Sequence, residues 1–446
     1  MKLFLDDDEL DGQLQRSVSH AYERAADIGE VLAVAGRLAP GDDESWHREW
    51  TRAAQTASTT AHQASDAGHR VTAAEAFLRA VEYYRQAMFY LRADLDDPRL
   101  RQAYRDMREA FNGAARQLDI MVRPAQIPYD ATTLNGYLYA PGDTDTAWPA
   151  VLFPMGYDAP AEDSYLYAAP AVRRGYAVLA FEGPGQGGVL YEQRLFLRPD
   201  FEHVLTQVVD HALTLPEVDG DRLILFGRSF AGYLSPRGAS SEHRIAALVC
   251  DPGQVDLGAR ILERVPPTVA AMVHADDPAV DELLAPMLAS PAARRLWTPR
   301  MAAHGATTLR GYLRELMRYN LADRAAEIRC PTLVTETEGD FAGGQSQQLF
   351  GLLSCPKSFH VFRRADGAEG HMGGLAQQLW NGFVFDWLHT AIQAAALGTA
   401  RPKNPPRFGG PYRAARAHRD TAKRAGEQPD CSQRVREAVM TPTNRA

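Results

Sequence analysis

A serine at the junction of a β-rich and a helical segment carries the strongest chemical signal in the sequence. Residues 223–233 read LILFGRSFAGY, and Gly227 and Ala231 stand two positions before and after Ser229. A strand, a tight turn and a helix, with small residues around the serine, form the pattern of a nucleophile elbow. Ala231 replaces the glycine usual at the last position, a departure of one methyl group. The simpler alternative is a serine that only caps the helix.

An acid for such a serine should follow it in the chain and precede a histidine, which is the order found with this kind of turn. Asp340, in the segment EGDFAGG, comes directly after the β-rich run PTLVTET and before small residues that allow a turn. Glu338 is one step short of that loop and is the second choice. Glu336 still lies within the strand. We therefore predict Asp340 as the acid.

His371 is the candidate base. It lies in the glycine-rich segment AEGHMGG, between the β-rich run KSFHVF and a final helical segment. A histidine there can take the hydroxyl proton of Ser229 while Asp340 orients its ring, which activates an otherwise weak nucleophile. His360 lies inside the β-rich run and is interpreted as a core or surface residue. The spacing thus predicts a catalytic triad of Ser229, Asp340 and His371.

Backbone amides near Ser229 could hold the negative charge that develops on an attacked carbonyl oxygen. The amide of Phe230 directly follows the nucleophile at a helix N-terminus, where the helix dipole also favours an anion. The segment MGYDAP, after the β-rich run PAVLFP, offers a second amide. We predict that of Tyr157, ahead of those of Met155 and Gly156. The alternative is that the Tyr157 side chain merely caps the pocket wall.

A literal GxGxxG stands in the segment FEGPGQGG, made by Gly183, Gly185 and Gly188. A dinucleotide-binding loop should close the first strand of a βαβ unit and open a helix directly. This segment follows at least three β-rich runs, contains Pro184, and shows no helix start before FEHVLTQVVDHAL. We interpret it as a loop passing close to the active site and ordered by hydrogen bonds of Glu182. No nucleotide cofactor is expected.

Eight β-rich runs after residue 118 provide the elements that would position these residues. In chain order they read DIMVRPAQI, LNGYLYAP, PAVLFP, YAVLAFE, RLILFG, IAALVC, PTLVTET and KSFHVF. From about Pro149 helical stretches alternate with them, which predicts a mostly parallel sheet with an antiparallel lead-in. The helical stretch at about 251–330 is far longer than an ordinary crossover and predicts a lid.

The N-terminal residues have a helical pattern. Apolar residues at three- and four-residue spacing predict four helices within a helical cap domain at 1–118, followed by a catalytic domain at 119–397. The polar tail at 398–446 is expected to be loosely ordered or to lie over the surface. An aromatic stripe in the helical domain either packs its own core or lines a ligand cavity. Its members are Trp46, Trp50, Phe77, Tyr83, Tyr84, Phe89 and Tyr90.

Composition excludes several classes of partner. A net charge of −8 over 446 residues leaves no basic surplus for nucleic acid or an anionic membrane. No apolar run approaches a bilayer span, and the N-terminus lacks an export signal. The four cysteines lack metal-binding or disulfide spacing, which is typical of reduced thiols; they are Cys250, Cys330, Cys355 and Cys431. We expect a cytoplasmic protein with a small-molecule substrate and neither a metal nor another cofactor. Analogy of fold alone favours a homodimer.

Residues 120–395 resemble the α/β-hydrolase superfamily. The segments FEGPGQG, GRSFAGYLSPRGAS, TEGDFAG and GAEGHMGG are similar to one branch of it, that of 2,6-dihydroxypseudooxynicotine hydrolase and the fungal polyketide-shortening hydrolases of pigment pathways. The helical segments WHREW and FLRAVEYYRQAMFYL also resemble that branch. The resemblance implies the α/β-hydrolase fold and the triad predicted above. It also implies cleavage of a carbon–carbon bond beside a carbonyl group.

The sequence therefore predicts a serine hydrolase acting on an aromatic or polyketide-like carbonyl compound, through carbon–carbon bond or ester hydrolysis. Phe230 and Ala231 depart from the usual GxSxGG pattern, and Phe230 would narrow the pocket beside the nucleophile. Two alternatives remain open. One is an acyltransferase or cyclase of secondary metabolism that uses the same triad, and the other is a non-catalytic binding protein on a hydrolase fold.

Overall fold

Helices form the N-terminal part of the chain. The computed structural model describes residues 2–39, 41–142 and 146–396, and the predicted C-terminal tail and Cys431 lie outside these residues. The α-helices described before the first strand are α1 (Asp8–Ser19), α2 (Ile28–Ala35), α3 (Asp43–Asp66), α4 (Arg70–Met88) and α5 (Pro98–Ala115). Aspartate side chains begin four of them by accepting backbone amides of the first turn; these residues are Asp7, Asp27, Asp42 and Asp97.

The prediction of four helices was wrong by one in this described region. Apolar residues recur at helical spacing through residues 17–38, a pattern typical of one helix, but α1 ends at Ser19 and Arg24 adopts a left-handed φ of 58°. A second helix then begins after Asp27, whose side chain accepts the amide of Glu30. A cap residue inside an apolar pattern is the signal that marks this break.

The aromatic stripe of this region packs within the helices. Trp46 and Trp50 are 1% and 0% exposed, and their ring centroids lie 5.7 Å apart. The ring of Tyr83 lies 5.5 Å from that of Trp50, and the ring of Tyr90 lies 5.5 Å from that of Trp46. The geometry favours core packing over the lining of a ligand cavity.

An eight-stranded sheet follows in the described residues. Its strands are β1 (Met121–Tyr129), β2 (Thr132–Ala140), β3 (Trp148–Pro154), β4 (Ala177–Phe181), β5 (Val218–Arg228), β6 (Ile245–Asp251), β7 (Thr332–Thr337) and β8 (Lys357–Phe362). Their spatial order is β1-β2-β4-β3-β5-β6-β7-β8. The first two strands pair antiparallel to their neighbours, and β3 to β8 are parallel. The chain has the α/β-hydrolase fold predicted from its sequence.

Helices connect the parallel strands and cover the sheet. Those outside the long insertion are α6 (Tyr165–Val172), α7 (Gly187–Tyr191), α8 (Glu202–Ala212), α9 (Ala231–Ala239), α15 (Ser346–Leu352) and α16 (Gln377–Ala396). The insertion between β6 and β7 contains α10 (Leu257–Leu262), α11 (Pro267–His274), α12 (Val280–Leu284), α13 (Pro291–Ala303) and α14 (Leu309–Leu316). The described residues contain no helix with both the length and the hydropathy of a membrane span.

Buried charges join the N-terminal helices to the sheet region. Arg16 of α1 bonds Asp163 at 2.5 Å and Asp158 at 3.3 Å, both in the segment between β3 and α6. Glu82 and Arg85 of α4 form a two-bond ion pair at 2.7 Å, and the Arg85 Nε lies 3.6 Å from Asp163. These contacts fix the helical region against the loop that follows β3.

Candidate active site

Ser229 lies at the turn between β5 and α9. Its φ of 57° is in the left-handed region, which a serine rarely adopts. Two backbone hydrogen bonds hold it there, from the Ser229 amide to the Asp251 carbonyl at 2.8 Å and from the Gly232 amide to the Ser229 carbonyl at 2.9 Å. Strain of this kind persists only where the surrounding structure imposes it, and it aims the serine side chain away from the helix.

Close backbone packing explains the small residues around the serine. A Cβ on Gly227 would lie 2.4 Å from the Ala231 carbonyl oxygen, and one on Gly232 would lie 2.0 Å from that of Pro252. Ala231 is fully buried with its methyl group in place. The steric requirement at the end of the motif therefore falls on Gly232, a residue that the sequence analysis did not single out, although the GG pair of the usual motif could have indicated it.

The three predicted triad residues lie within hydrogen-bonding distance of one another. The His371 Nε2 is 2.8 Å from the Ser229 Oγ, and the His371 Nδ1 is 2.8 Å from the Asp340 Oδ1. Asp340 lies in the loop after β7, and His371 lies in the loop between β8 and α16. The carboxyl ends of β5, β7 and β8 thus bring together side chains up to 142 positions apart in the chain.

Asp340 is held as a carboxylate despite its burial. Its side chain is fully buried, which by itself would raise its pKa. The charge and hydrogen bond of His371 outweigh burial, together with the amides of Ala342 at 2.7 Å and Met372 at 3.1 Å, so the pKa of Asp340 is lowered. An ionised Asp340 accepts the Nδ1 proton of His371. The Nε2 lone pair then faces the Ser229 hydroxyl.

The competing candidates lie elsewhere. Glu338 accepts the amide of Arg364 at 2.8 Å, and Glu336 accepts that of Gly344 at 2.9 Å. His360 stacks on Phe383 with ring centroids 3.8 Å apart, and burial lowers its pKa. The contacts of these three side chains are with residues other than Ser229, Asp340 and His371.

The loop after β3 borders the serine hydroxyl. A Cβ on Gly156 would lie 3.5 Å from the Ser229 Cβ and 3.7 Å from its Oγ. Phe230 begins the turn into α9, and its ring centroid lies 4.0 Å from that of Tyr157. The Tyr157 side chain is thus part of the wall, while its backbone belongs to the segment beside the hydroxyl. The assignment of the Phe230 and Tyr157 amides as oxyanion donors stays a prediction.

The glycine-rich loop after β4 is hydrogen-bonded to the loop after β3. Gln186, 1% exposed, accepts the Gly183 amide at 2.6 Å and donates to the Met155 carbonyl. A Cβ on Gly185 would lie 2.2 Å from the Leu197 side chain. Glu182 accepts the amide of Gly188 at 2.8 Å, as expected for a side chain that orders this loop. The glycines therefore serve close packing. A short helix, α7, begins at Gly187, earlier than the sequence suggested.

Arg228 ties the elbow to the histidine loop, and the sequence analysis missed this role. Its Nη2 donates to the Met372 carbonyl at 2.7 Å, and its Nε lies 3.1 Å from Asp251 at the end of β6. The guanidinium lies 4.6 Å from the ring centroid of Tyr167 and 4.0 Å from that of Trp380. The residue before the nucleophile thus fixes the backbone directly after the triad histidine. No local signal marks these partners, because Met372 is 144 positions away.

The helical insertion packs against Tyr157 and Phe230 beside the elbow. The Tyr157 hydroxyl bonds the Nε2 of His304, which follows α13. The ring of His304 lies 5.2 Å from that of Tyr312 and 5.1 Å from that of Tyr319. Burial lowers the pKa of His304 to about 3, so its imidazole is neutral. Aromatic rings and a neutral imidazole therefore lie beside Phe230.

One group of side chains in the described residues has the spacing of metal ligands. His20, Glu82 and Asp163 place ligand atoms within 4.8 Å of one another. Arg85 already bonds both oxygens of Glu82, and Arg16 bonds Asp163. Because these guanidinium groups balance the carboxylate charges, the group is better explained as part of the buried ion-pair cluster than as a cation site.

Comparisons with known proteins show the family of the chain. Residues 6–261 match the family model described as FrsA-like esterase. Hydrolase LUC6 of Fusarium sp is 34% identical over 387 residues, which span 81% of this chain and 91% of that protein. The 20-hydroxy-prefusarin hydrolase FUS2 of Gibberella moniliformis is 39% identical over 252 residues, which span 54% of this chain and 60% of that protein.

Solved structures show the same fold. The crystal structure of the 2,6-dihydroxy-pseudo-oxynicotine hydrolase superposes with a TM-score of 0.63 at 20% identity, covering 84% of this chain and 96% of that one. The resemblance predicted from the sequence segments is confirmed by the family match, the fungal relatives and this fold. The protein is an enzyme of the hydrolase type, and the chain belongs to the FrsA-like esterase family of α/β hydrolases.

Proposed function

We propose that this protein is a serine hydrolase in which Ser229, His371 and Asp340 cleave a carbonyl substrate through an acyl-enzyme. The observation that carries the proposal is the continuous hydrogen-bonded path from the Ser229 Oγ through the His371 ring to Asp340, with both contacts at 2.8 Å. A histidine held between a strained serine and a buried carboxylate has the geometry needed to activate the hydroxyl.

The chemistry runs in two stages. The His371 Nε2 takes the Ser229 proton as the Oγ attacks the carbonyl carbon, and Asp340 stabilises the imidazolium that forms. The amides of Phe230 and Tyr157 hold the oxyanion. When the intermediate collapses, the departing oxygen or carbon atom takes the proton from His371. Water, deprotonated by His371, then attacks the ester carbon of the acyl-enzyme and releases an acid and free Ser229.

The substrate we propose is an aromatic or polyketide-like ketone or ester. Its carbonyl group would lie at the Ser229 Oγ, against the rings of Tyr157 and Phe230. Pockets lined by aromatic side chains favour flat, apolar ligands. A β-diketone or aryl ketone would lose a stabilised carbanion, and an ester would lose an alkoxide; both pass through the same oxyanion. Two relatives carry names that support a substrate of this class, a 20-hydroxy-prefusarin hydrolase and a 2,6-dihydroxy-pseudo-oxynicotine hydrolase.

Replacement of Ser229 tests the proposal. A fluorophosphonate probe should label the wild-type protein at Ser229 and fail to label Ser229→Ala, and an aryl ester or aryl diketone turned over by the wild type should not be turned over by the variant. Ser241→Ala is the matched control, because Ser241 is an exposed serine just beyond α9. Equal labelling and turnover in Ser229→Ala would contradict the nucleophile assignment. Diversion of the acyl group to an added amine or alcohol would instead indicate an acyltransferase.

A further inference from the structure

One buried arginine lacks a counter-ion. Among the described residues, the arginines that are more than nine-tenths buried are Arg85, Arg92, Arg228 and Arg295. Three of them have a carboxylate oxygen within 4 Å. Arg92 has none in this part of the chain: its Nε donates to the Phe89 carbonyl at 2.9 Å, and its guanidinium lies 4.3 Å from the Phe89 ring centroid. A buried charge without a paired anion is costly, so its retention needs an explanation.

A second arginine without an ion pair to any described residue lies in the insertion. Arg300 of α13 is half-buried, bonds the Leu296 carbonyl and lies 5.6 Å from the ring centroid of Tyr157. No carboxylate of the described residues lies within 4 Å of it. Burial lowers the pKa of Arg92, and the charge of Arg300 lowers it further, against the opposing effect of Asp158. The turn Tyr90–Ala93, which carries Arg92, packs against α13, which carries Arg300.

Both arginines flank the loop that borders the nucleophile. The ring of Tyr157 lies 5.6 Å from the Arg300 guanidinium and, tilted by 44°, 4.0 Å from the ring of Phe230. A Cβ on the preceding Gly156 would lie 3.5 Å from the Ser229 Cβ. Burial alone would raise the pKa of the next residue, Asp158, but the charges of Arg16 and Arg92 outweigh it and lower that pKa. Asp158 forms an ion pair with Arg16 at 3.3 Å, and neither of its oxygens lies within 4 Å of the Arg92 guanidinium nitrogens. Arg92 and Arg300 thus lie where the N-terminal helices meet the insertion, and Arg300 reaches the loop that borders Ser229.

We propose that Arg92 and Arg300 form a subsite for a carboxylate of the substrate, so that the compound cleaved at Ser229 is an acid rather than a neutral molecule. This inference rests on the proposed function. A carboxylate matches the planar, forked donors of arginine, and it would supply the missing counter-charge in an enclosed site where such pairs are strong. The aromatic wall would hold the body of the substrate and the two guanidinium groups its acidic end.

A pair of esters that differ only in charge tests this subsite. One is the 4-nitrophenyl monoester of glutaric acid, and the other is the same compound with its free carboxylate methylated. We expect kcat/KM of the wild type to favour the charged ester by about tenfold or more, the size expected for a hydrogen bond to a charged group. In Arg92→Gln and in Arg300→Gln this preference should fall toward one, because only the charged ester loses a partner. Arg52→Gln, at an exposed arginine of α3, should keep the wild-type preference.

The outcomes separate this inference from the proposed function. Turnover of both esters at equal kcat/KM by the wild type, or an unchanged preference in both arginine variants, would overturn the carboxylate subsite while leaving the serine mechanism intact. Absence of any Ser229-dependent release of nitrophenol would count against the proposed function itself. If Arg92→Gln does not fold, as judged by fluorophosphonate labelling of Ser229, the half-buried Arg300 variant decides the question alone.

Discussion

Arg228 shows how a residue outside the triad can determine the position of a triad member. It holds the Met372 carbonyl, directly after His371, and it shares Asp251 with Thr335, whose hydroxyl donates to that carboxylate at 2.8 Å. Asp251 also accepts the Ser229 amide through its carbonyl oxygen. The serine turn and the histidine loop are therefore connected through one buried ion pair.

Arg228→Met should cost about 3–5 kcal/mol of the free energy of unfolding, because it leaves Asp251 buried without its cation. It should also lower kcat, since the loop that carries His371 loses a donor. Urea unfolding measures the first effect. Addition of Asp251→Asn should recover part of the lost stability, and a double variant no more stable than Arg228→Met would contradict the ion-pair explanation.

Two substitutions of a carboxylate by an amide, one at Asp340 and one at Glu338, identify which residue orients His371. Asp340→Asn should lower kcat by about 10⁴-fold, because an asparagine in place of the carboxylate no longer holds the histidine in the right tautomer. Glu338→Gln should keep wild-type kcat, since Glu338 bonds the Arg364 amide away from His371. Steady-state kinetics on one aryl ester suffices, and a larger loss in Glu338→Gln than in Asp340→Asn would reverse the assignment.

Residue types and spacing were sufficient to choose side chains that the fold brings together. Ser229, Asp340 and His371 each stand at the end of a predicted strand, so their meeting follows from a parallel sheet. Arg228 and Gln186 could not be found in this way, because their partners are set by how separate loops pack. Both side chains donate to backbone carbonyl groups. Every residue has such a group, so the sequence does not indicate which residue accepts the bond.

At the scale of elements, the strands were easier to predict than the helices. All eight β-rich runs form strands. The central parallel strands are recognisable because they are short and continuously apolar; β4, for example, is buried at every position. The helix count failed where a cap and a left-handed residue interrupt an apolar pattern, at Asp27 and Arg24. The short α7 was missed because five residues starting with two glycines have little helix propensity.

The turn from β5 into α9 gives a test of element packing. Gly232→Ala should destabilise the protein by about 1–3 kcal/mol and reduce activity, because the new methyl group would meet the Pro252 carbonyl and shift the elbow. Ala231→Gly should keep most of the activity, since it restores the usual motif. Thermal unfolding and ester turnover measure both. A Gly232→Ala variant as stable and active as wild type would show that the turn tolerates more than this packing implies.

At the scale of the whole molecule, two buried carboxyl groups lie where the helical region meets the sheet. Burial, with the charge of Glu162, raises the pKa of Glu182 to about 8, and burial also raises that of Glu162. Tyr104 of α5 lies against Glu182, and Tyr137 of β2 donates to Glu162 at 2.9 Å. A folded Glu182 thus keeps its proton to higher pH than an unfolded one.

Stability should therefore fall as pH rises from the ordinary carboxyl value of 4.5 to about 8, because the native state binds more protons across that window. Glu182→Gln should reduce this loss of stability, since an amide stays neutral over the whole pH range. Urea midpoints at pH 6 and pH 9 provide the measurement, with Glu109→Gln at an exposed position of α5 as the control. An equally steep decline in Glu182→Gln would assign the pH dependence to other groups.

The position of the helical insertion has a consequence for divergence among related enzymes. It leaves the sheet after β6 and returns at β7, and these strands are hydrogen-bonded neighbours. Segments of different length or composition can therefore replace it without separating the two strands, and the serine, acid and histidine all remain on loops outside it. Substrate preference can evolve by exchange of this one segment, while the bond-breaking chemistry is inherited unchanged.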